Sequence, residues 1–480
     1  MKKNLLALAL ALSTLPSVVS AQSPVHQSVV AGTFFPGTRD SLLGAIEACM
    51  REARRPPQLH SPPIGIIAPH AGYAYSGIVA ASAFRAAERG LYKTAIVLGP
   101  SHFIAFDGVA TTPAGSWETP VGSIAIDVDR AQSIMKKCAF VRDSAALFAK
   151  EHSLETQLPF LQRMLPKCKL VPLEFGSMTG EQYVALANAI ADLVEDAPGD
   201  VLVVASSDLS HYHGDAKARY TDNITLNDVL DGDLGRLVSD LNTRSAEMCG
   251  FSPVITMMLI AERMGARPML LSYATTANAT GDTTRVVGYG ALSFTVPSDP
   301  VPLNPDDRRT LLAIARRAIV AAAAHAPSPD VTNDRPALEA KSGLFVTLTK
   351  NGQLRGCIGA TRATQPLWKA ATEMGNSAAC KDPRFTPVTP DEVRDLHVEI
   401  SVLTPMRRVR AADSIIVGKH GVYIMHGSAS GLLLPQVATE NHWDRAELLK
   451  QLCLKAGLPV DAWRDPEARL YAFTAEVFGE

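Results

Sequence analysis

Short apolar runs alternate with amphipathic stretches from residue 64 onward, which is the pattern of sheet strands buried between helices. Four runs have the length and composition of buried strands, namely residues 64–68, 94–98, 170–173 and 201–205. Between them, residues 78–88 form an alanine-rich helical stretch, and residues 180–196 repeat their apolar positions at helical spacing. The alternation predicts an α/β fold with a mainly parallel sheet flanked by helices.

A proline-rich stretch separates this pattern from a second one. Prolines at 297, 300, 302 and 305 exclude a helix or a central strand and predict a linker over residues 297–305. After it, a helical stretch at 306–325 precedes two apolar runs, 344–348 and 354–358, joined by Asn351-Gly352. Asn-Gly between apolar runs favours a hairpin, because both central residues of a type I′ turn need positive φ. We therefore predict a first domain over residues 22–296 and a separate α+β domain over 306–480.

The first 21 residues have the features of an export signal. Lys2 and Lys3 precede an apolar run at residues 5–12, and small residues lead up to Ala21. An uncleaved membrane anchor is the alternative, but the apolar stretch, which continues from this run through Pro16 to Val19, is near the short limit for spanning a bilayer and is interrupted by that proline. We expect cleavage after Ala21, export to the periplasm or beyond the cell, and no membrane attachment of the mature chain.

Composition excludes several classes of protein. Of 480 residues, 47% are apolar, which is too many for a disordered chain, and the 46 basic and 48 acidic residues leave a net charge of −2. This near-zero net charge creates no overall positive electrostatic field that would attract nucleic acid, so no nucleic-acid partner is expected. The seven cysteines are scattered and contain no CxxC pair, which excludes a disulfide scaffold and leaves any individual pairing open.

Histidines follow three of the predicted strands directly. His70 comes after the first strand, His102 after the second, and Asp208 to His213 after the run at 201–205. If these strands are parallel, their carboxyl ends meet at one edge of the sheet, where α/β folds place their ligand sites. Imidazole suits iron, copper and zinc, and Cys249, just before a predicted helix at 253–263, is a candidate third ligand. An inert buried cysteine is the alternative at that position.

Five successive motifs resemble those of the Memo (mediator of cell motility) family over about residues 28–295. They are Ala68-Pro69-His70-Ala71-Gly72-Tyr73, Gly99-Pro100-Ser101-His102, Glu151-His152-Ser153-Leu154-Glu155, Ser206-Ser207-Asp208-Leu209-Ser210-His211 and Cys249-Gly250. The resemblance implies a fold similar to the class III extradiol dioxygenases. It also implies a mononuclear site for iron, or alternatively copper, held by His70, His102 and Cys249.

The resemblance also implies roles for the residues around that site. His211 is in the position of the dioxygenases' acid/base histidine, and Asp208 is expected to orient it. His152, Glu155 and Tyr73 are expected to line the pocket, although capping or surface roles for His152 and Glu155 are equally open. The dioxygenases have a carboxylate where this chain has Cys249, so ring cleavage does not carry over from the fold.

The second domain resembles the AMMECR domain over about residues 306–478. The motifs are Leu354-Arg355-Gly356-Cys357-Ile358-Gly359, Lys381-Asp382-Pro383-Arg384-Phe385 and Leu434-Pro435-Gln436-Val437-Ala438. Arg355, Gly356, Cys357 and Gly359 are candidate site residues, since the glycines permit close approach of a ligand and Arg355 offers a planar donor fork. A tightly packed hairpin without a ligand is the alternative. Arg407, Arg408 and Arg410 form a compact basic cluster that we interpret as a solvated edge.

The two families occur together with a radical S-adenosylmethionine protein in the grouping called AmmeMemoRadiSam. This chain resembles a fusion of the first two members and has no CxxxCxxC cluster motif, so a radical enzyme or its product is an expected partner. We predict an exported, iron- or copper-dependent oxidoreductase acting on a small molecule or peptide in the first domain's cleft. The alternative is a non-catalytic metal- or peptide-binding module whose second domain docks a partner.

Overall fold

The computed structural model describes residues 24–56, 61–296, 303–331, 333, 335–361, 365–409, 411–427, 429–465 and 467–480. The predicted signal peptide and most of the predicted linker lie outside these residues. In the first domain the strands are β1 (Val25–His26), β2 (Gly65–Ala68), β3 (Thr94–Pro100), β4 (Val109–Thr111), β5 (Ser116–Thr119), β6 (Gly122–Ala125), β7 (Val141–Asp143), β8 (Lys169–Phe175), β9 (Val201–Ser206), β10 (His211–His213), β11 (Arg267–Thr275) and β12 (Val286–Thr295).

Helices cover the large sheet on both faces. They are α1 (Arg39–Glu52), α2 (Tyr73–Ala87), α3 (Val128–Lys137), α4 (Leu158–Met164), α5 (Gly180–Asp196), α6 (Asp215–Asp231), α7 (Leu234–Thr243), α8 (Phe251–Met264) and α9 (Thr276–Thr280). Helix α5 is the predicted helix, and a capping box between Thr179 and Gln182 fixes its start. Helix α2 begins earlier than predicted, at Tyr73, directly after the loop that carries His70.

The large sheet has a parallel centre and antiparallel margins. Among the described residues nine strands join it, in the order β10-β12-β2-β9-β3-β8-β4-β7 with β11 paired to β12. Strands β2, β9, β3 and β8 run parallel, whereas β12 pairs antiparallel with β2, and β4 pairs antiparallel with β8. The predicted α/β fold is confirmed. The predicted parallel arrangement is correct for the four central strands and does not extend to the margins of the sheet.

Burial explains why the central strands read as unbroken apolar runs. Strands β3 and β9 are buried along their whole length, because helices cover both faces of the sheet. Alternate residues enter two cores: Ala95 and Val97 join the core under α1 and α2, and Ile96 and Leu98 join the core under α5 and α8. A small separate sheet, β1-β5-β6, packs on the first of these cores.

The second domain contains two four-stranded sheets in the described residues. Its strands are β13 (Gly343–Lys350), β14 (Gln353–Ala360), β15 (Leu396–Leu403), β16 (Arg407–Val409), β17 (Gly421–His426), β18 (Ala429–Leu433), β19 (Arg469–Phe473) and β20 (Ala475–Gly479). Its helices are α10 (Pro305–Ala323), α11 (Leu367–Cys380), α12 (Pro435–Glu440) and α13 (Arg445–Lys455). The sheets have the orders β14-β13-β15-β20 and β16-β19-β17-β18. All the strand pairs in these two sheets are antiparallel, which confirms the predicted α+β character.

The predicted hairpin joins β13 and β14. Asn351 and Gly352 have φ of 53° and 77°, the left-handed pair that a type I′ turn requires. Leu344, Val346 and Leu348 point from β13 into a core formed with α10 and α11, so the opposite face of this sheet carries the intervening residues.

An ion-pair network joins the two domains at the amino edge of the large sheet. Asp192 and Glu195, near the end of α5, both bind Arg263 of α8 at 2.6 Å. Arg408 of the second domain lies 3.1 Å from Glu195, and Arg469 lies 3.3 Å from Asp192. Arg408 therefore pairs with the first domain instead of forming the solvated edge that we expected from the sequence.

Two further features bear on the environment of the chain. All seven cysteines lie in the described residues and are free thiols. No helix of the described part combines the length and apolar character needed to cross a bilayer.

Candidate metal centre

The three predicted strand ends meet at one edge of the large sheet. Strands β2, β9 and β3 are parallel neighbours, so the loops after Ala68, Ser206 and Pro100 leave the sheet side by side. The rings of His70 and His102 consequently lie 5.1 Å apart, centroid to centroid, and Asp208 accepts a hydrogen bond from the His70 N–H at 2.8 Å. Tertiary structure thus builds one site from three distant segments.

A buried carboxylate orients His102. Glu151 accepts from the His102 backbone N–H at 2.7 Å and lies 2.9 Å from His102 Nδ1. Burial raises the pKa of Glu151, but the hydrogen bonds and charge of His102 and the backbone N–H of Ser153 outweigh it, leaving the pKa at about 2. An ionised Glu151 must accept a proton from Nδ1, so the Nε2 lone pair of His102 is free to bind a metal.

A hydroxyl orients His70 in the same way. Ser206 Oγ donates to the Ser153 carbonyl oxygen at 2.6 Å and lies 2.9 Å from His70 Nδ1. Since the Ser206 proton is already used, Nδ1 is the donor and Nε2 carries the lone pair. His70 is only 2% exposed, and burial together with the charges of neighbouring histidines holds its pKa well below the usual value. The ring is therefore a neutral ligand.

His152 belongs to the same cluster. Each of His70, His102 and His152 offers one nitrogen, and these three atoms lie within 4.8 Å of one another. The His152 ring stacks on that of His102 at 4.5 Å. Burial lowers its pKa to about 4 against the opposing charge of Glu151, whose Oε1 lies 3.4 Å from His152 Nδ1. A buried, neutral imidazole beside two other histidines fits a metal ligand.

Cys249 supplies a thiol beside Nε2 of His70. Its Sγ lies 3.1 Å from His70 Nε2 and accepts from the Asp208 N–H at 3.2 Å. Helix α8 begins two residues later, and Gly250 allows the close approach because a Cβ there would lie 2.3 Å from the Ser206 carbonyl oxygen. Burial and the charge of Asp208 raise the pKa of Cys249, so the thiol keeps its proton until a cation displaces it.

His211 lies beside this group with one nitrogen fixed. Its Nδ1 lies 2.8 Å from the Leu209 carbonyl oxygen, which makes Nδ1 the donor and Nε2 a proton acceptor. Burial raises the pKa of Asp208 to about 6, and hydrogen bonding to His70 and the charge of His211 reduce the rise. Tyr212 has φ of 63°, a strained conformation for an aromatic residue, at a bulge between β10 and β12.

Tyr73 and Glu155 make their hydrogen bonds with residues outside the cluster. The Tyr73 hydroxyl donates to the Thr156 carbonyl oxygen at 2.8 Å, and its ring packs against Phe160 in the core. Glu155 accepts hydrogen bonds from the Ser28 hydroxyl and from the Val29 N–H, and so ties the amino-terminal segment to the domain. Their contacts are those of structural residues.

Sequence reasoning missed the residues that orient the ligands. Glu151 stands next to His152 in a motif that we had singled out, and a carboxylate beside a histidine ligand was the available signal. Ser206 and Gln157, whose Nε2 donates to Ser206 Oγ at 2.8 Å, had no such signal because their contacts are made across the fold. Glu174 of β8 was also missed, although it is fully buried beside this edge.

In the second domain, the predicted site residues divide between two environments. Arg355 directs its guanidinium to Glu392 at 3.0 Å and to the Thr386 carbonyl oxygen at 2.9 Å, so its fork is engaged within the domain. A Cβ on Gly356 would lie 2.3 Å from the Ala378 carbonyl oxygen, and one on Gly359 would lie 2.2 Å from the Phe345 ring. These three residues pack the hairpin, and Cys357 alone presents a reactive group on the partly open face.

Fold and site together define a class of protein. It is an α/β protein with a cluster of histidines and a cysteine at the carboxyl edge of its central parallel strands, followed by a separate α+β domain. Comparison with known families agrees: residues 26–293 match the family described as Memo-like protein, and residues 312–478 match AMMECR1. The chain belongs to the Memo family, and it carries an AMMECR1 domain after the Memo-like one.

Two relatives of known sequence, both MEMO1 family proteins, support the assignment. A MEMO1 family protein of Methanococcus vannielii is 34% identical over 281 residues, which cover 56% of this chain and 99% of that protein. One from Nitrosopumilus maritimus is 33% identical over 275 residues, with 56% and 99% covered. A solved structure of an uncharacterized protein from Pyrococcus horikoshii is 40% identical and covers 36% of this chain and 90% of that chain, with a TM-score of 0.35.

Proposed function

We propose that the first domain binds a single transition-metal ion, iron or alternatively copper, and acts as an oxidoreductase on a small molecule or peptide. The observation that carries the proposal is the convergence of nitrogens from His70, His102 and His152 within 4.8 Å, with Cys249 Sγ 3.1 Å from His70. Imidazole and thiol donors favour iron, copper or zinc over magnesium or calcium, which prefer oxygen.

The protein's own groups would hold the ion and move a proton. Bound iron or copper would supply one-electron chemistry and polarise a coordinated substrate. Glu151 and Ser206 fix the rings of His102 and His70, so that both lone pairs point into the site. His211, with Nδ1 on a carbonyl oxygen, is placed to accept a substrate proton at Nε2. The charge of Asp208 would stabilise the resulting imidazolium.

Binding without turnover is the second candidate. Phe103 and Tyr212, both adjacent to site histidines, are 59% and 62% exposed, and the Arg285 guanidinium lies 4.6 Å from the Tyr212 ring centroid. Exposed aromatic side chains beside a cleft favour capture of a peptide or another partner. In this case the second domain would dock a partner and the metal would have a structural role.

Metal content tests the first candidate. The chain from Gln22 onward is purified, reconstituted with iron or copper without oxygen, and analysed by inductively coupled plasma mass spectrometry. We expect close to one ion per chain, lost when His70, His102 and Cys249 are replaced together and reduced by His152→Ala. His213→Ala is the matched control, because His213 pairs with Glu247 at 3.0 Å outside the cluster. Metal absent from the unmodified chain would contradict the proposal.

Turnover separates the two candidates. Oxygen consumption by the loaded protein is measured with a reductant and with catechol-like compounds, for the unmodified chain and for His211→Ala. Consumption that falls in the variant while metal content stays constant supports the oxidoreductase. Stoichiometric metal with no consumption under any condition supports the binding module.

We also propose that the chain is exported and works with a radical S-adenosylmethionine protein or its product. The basic, apolar and small-residue order of residues 1–21 supports export, and the fusion of the two domains supports the partner. Amino-terminal sequencing of the mature protein should begin at Gln22. A mature chain that retains Met1 would contradict cleavage.

A further inference from the structure

The carboxylates at the end of α5 are buried where the second domain contacts the first. Asp192 and Glu195 are only 7% and 8% exposed. Within the first domain, Arg263 binds both of them at 2.6 Å, and Lys137 binds Asp192 at 2.6 Å. Asp196 adds a third carboxylate to this end of the helix. The three carboxylates outnumber these two cations, which leaves the surface open to further positive charge. We call these three carboxylates, together with Arg263, the α5 acidic site.

The second domain presents complementary groups from one face of a sheet. Arg408 of β16 lies 3.1 Å from Glu195, and Arg469 of β19 lies 3.3 Å from Asp192. The Tyr471 hydroxyl, on a side chain only 4% exposed, donates to Glu195 at 3.4 Å. Arg408 stands directly opposite Tyr471 on the paired strands, and Arg469 is two residues before that tyrosine. The three side chains therefore share a face, at a spacing that the strand pairing fixes before the domains meet.

A second contact fixes the orientation of the two domains. Arg267, the first residue of β11, donates to the Lys341 carbonyl oxygen just before β13. Burial lowers the pKa of Arg267, so this guanidinium too is withdrawn from solvent. Strand β13 belongs to one sheet of the second domain, and β16 and β19 belong to the other. Contacts from both sheets resist pivoting of the second domain about the end of α5.

The α5 acidic site and the metal centre lie at opposite edges of the large sheet. Helix α5 ends just before β9 begins at Val201, whereas the loops that carry His70 and His102 follow the ends of β2 and β3. Strand β3 has seven residues, which span about 20 Å at about 3.3 Å per residue. Changes at the interface should therefore leave metal binding unaltered.

We propose that the α5 acidic site is a recognition surface for an AMMECR1-type domain, and that it binds such a domain whether or not the two share a chain. Buried carboxylates are strongly unfavourable unless cations pair with them, so the site selects a partner that carries guanidinium groups at the spacing of Arg408 and Arg469. A partner that lacks either arginine would leave a buried charge short of a cation. This inference depends neither on the metal nor on turnover.

Cutting the chain between the domains tests the proposal. A protease site is placed within residues 297–302, the folded full chain is cleaved, and the products are analysed by size-exclusion chromatography with light scattering at micromolar concentration. We expect the two fragments to elute as one complex, and a dilution series gives its dissociation constant. Separate elution of the fragments from the otherwise unmodified chain would overturn the proposal.

Substitutions in the second domain isolate the recognition groups. Arg408→Met and Arg469→Met should each weaken the complex by about 30-fold or more, because loss of one partner leaves a buried carboxylate unpaired. Arg394→Met is the matched control, since that side chain is 85% exposed and lies 3.9 Å from Asp395 beside it. Circular dichroism establishes that each variant folds. A complex as tight in the Arg408 and Arg469 variants as in Arg394→Met would overturn the assigned recognition.

Exchange of fragments tests binding between chains. Cleaved chain labelled with nitrogen-15 is mixed with unlabelled cleaved chain in high salt, which screens the ion pairs, and the mixture is returned to low salt. Native mass spectrometry should then detect a labelled first domain bound to an unlabelled second domain. If every complex formed at low salt still contained two fragments of the same label, recognition across chains would be wrong.

Discussion

Glu174 makes the stability of the first domain depend on pH in an unusual direction. The residue is fully buried on β8, between Gly99 and Ala110 of the neighbouring strands. Burial raises its pKa from 4.5 to about 8, with the Ser101 hydroxyl reducing the rise and the charge of Glu151 adding to it. The folded domain therefore holds a proton that the unfolded chain releases.

The size of the effect follows from linkage between protonation and folding. Between pH 4.5 and 8 the folded state binds more protons than the unfolded state, so the free energy of unfolding falls as pH rises. Each pH unit contributes about 1.4 kcal/mol, which gives about 5 kcal/mol over the whole interval. Glu174→Gln keeps the shape and removes the ionisation, so the variant should lose this slope and be more stable than the unmodified domain at pH 8.

Hydrogen exchange measured by mass spectrometry on peptides from β3 and β8 reports this domain separately from the second. We expect protection in the unmodified chain to decline from pH 5 to pH 8, after correction for intrinsic exchange, and protection in Glu174→Gln to stay level. Glu181→Gln, which alters an exposed carboxyl at the start of α5, is the control and should follow the unmodified chain. Identical profiles for Glu174→Gln and the unmodified chain would refute the reasoning.

Three further substitutions test packing and capping, each by urea unfolding. Gly356→Ala places a Cβ 2.3 Å from the Ala378 carbonyl oxygen, which is backbone and cannot yield, so the second domain should lose about 2–3 kcal/mol. Arg263→Met removes the guanidinium that pairs with the buried carboxylates Asp192 and Glu195. The free energy of unfolding of the first domain should therefore fall by about 3 kcal/mol. Thr179→Ala removes the capping box shared with Gln182 and should cost about 1 kcal/mol.

Each of these substitutions has a matched control. Gly180→Ala adds a Cβ with no atom within 4 Å and should change stability by less than about 0.5 kcal/mol. Arg309→Met removes an exposed ion pair with Asp306 and should have a similarly small effect. A loss in Gly356→Ala as small as that in Gly180→Ala would contradict the packing argument. If Arg263→Met and Arg309→Met lost equal stability, the argument for a buried ion-pair network would be wrong. If Thr179→Ala unfolded at the same urea concentration as the unmodified chain, the capping box would not stabilise α5.

Local rules made much of the fold predictable. Periodicity identified β3, β9 and α5 to within two residues at each end, because burial between helices leaves strands continuously apolar. The Asn351-Gly352 turn was predictable from two residues, since its φ values depend only on them. The start of α2 was missed by five residues, because the loop carrying His70 leads directly into the helix.

By itself, the sequence determined that the chain has two domains, which residues form the central strands, and that His70 and His102 directly follow strands. These properties depend on neighbouring residues, so they can be read along the chain. Only the tertiary structure decided that His152 joins the cluster, that Glu151 orients His102, and that Arg408 pairs with Glu195. Such contacts depend on strand order and on how distant segments pack, and no local pattern encodes that order.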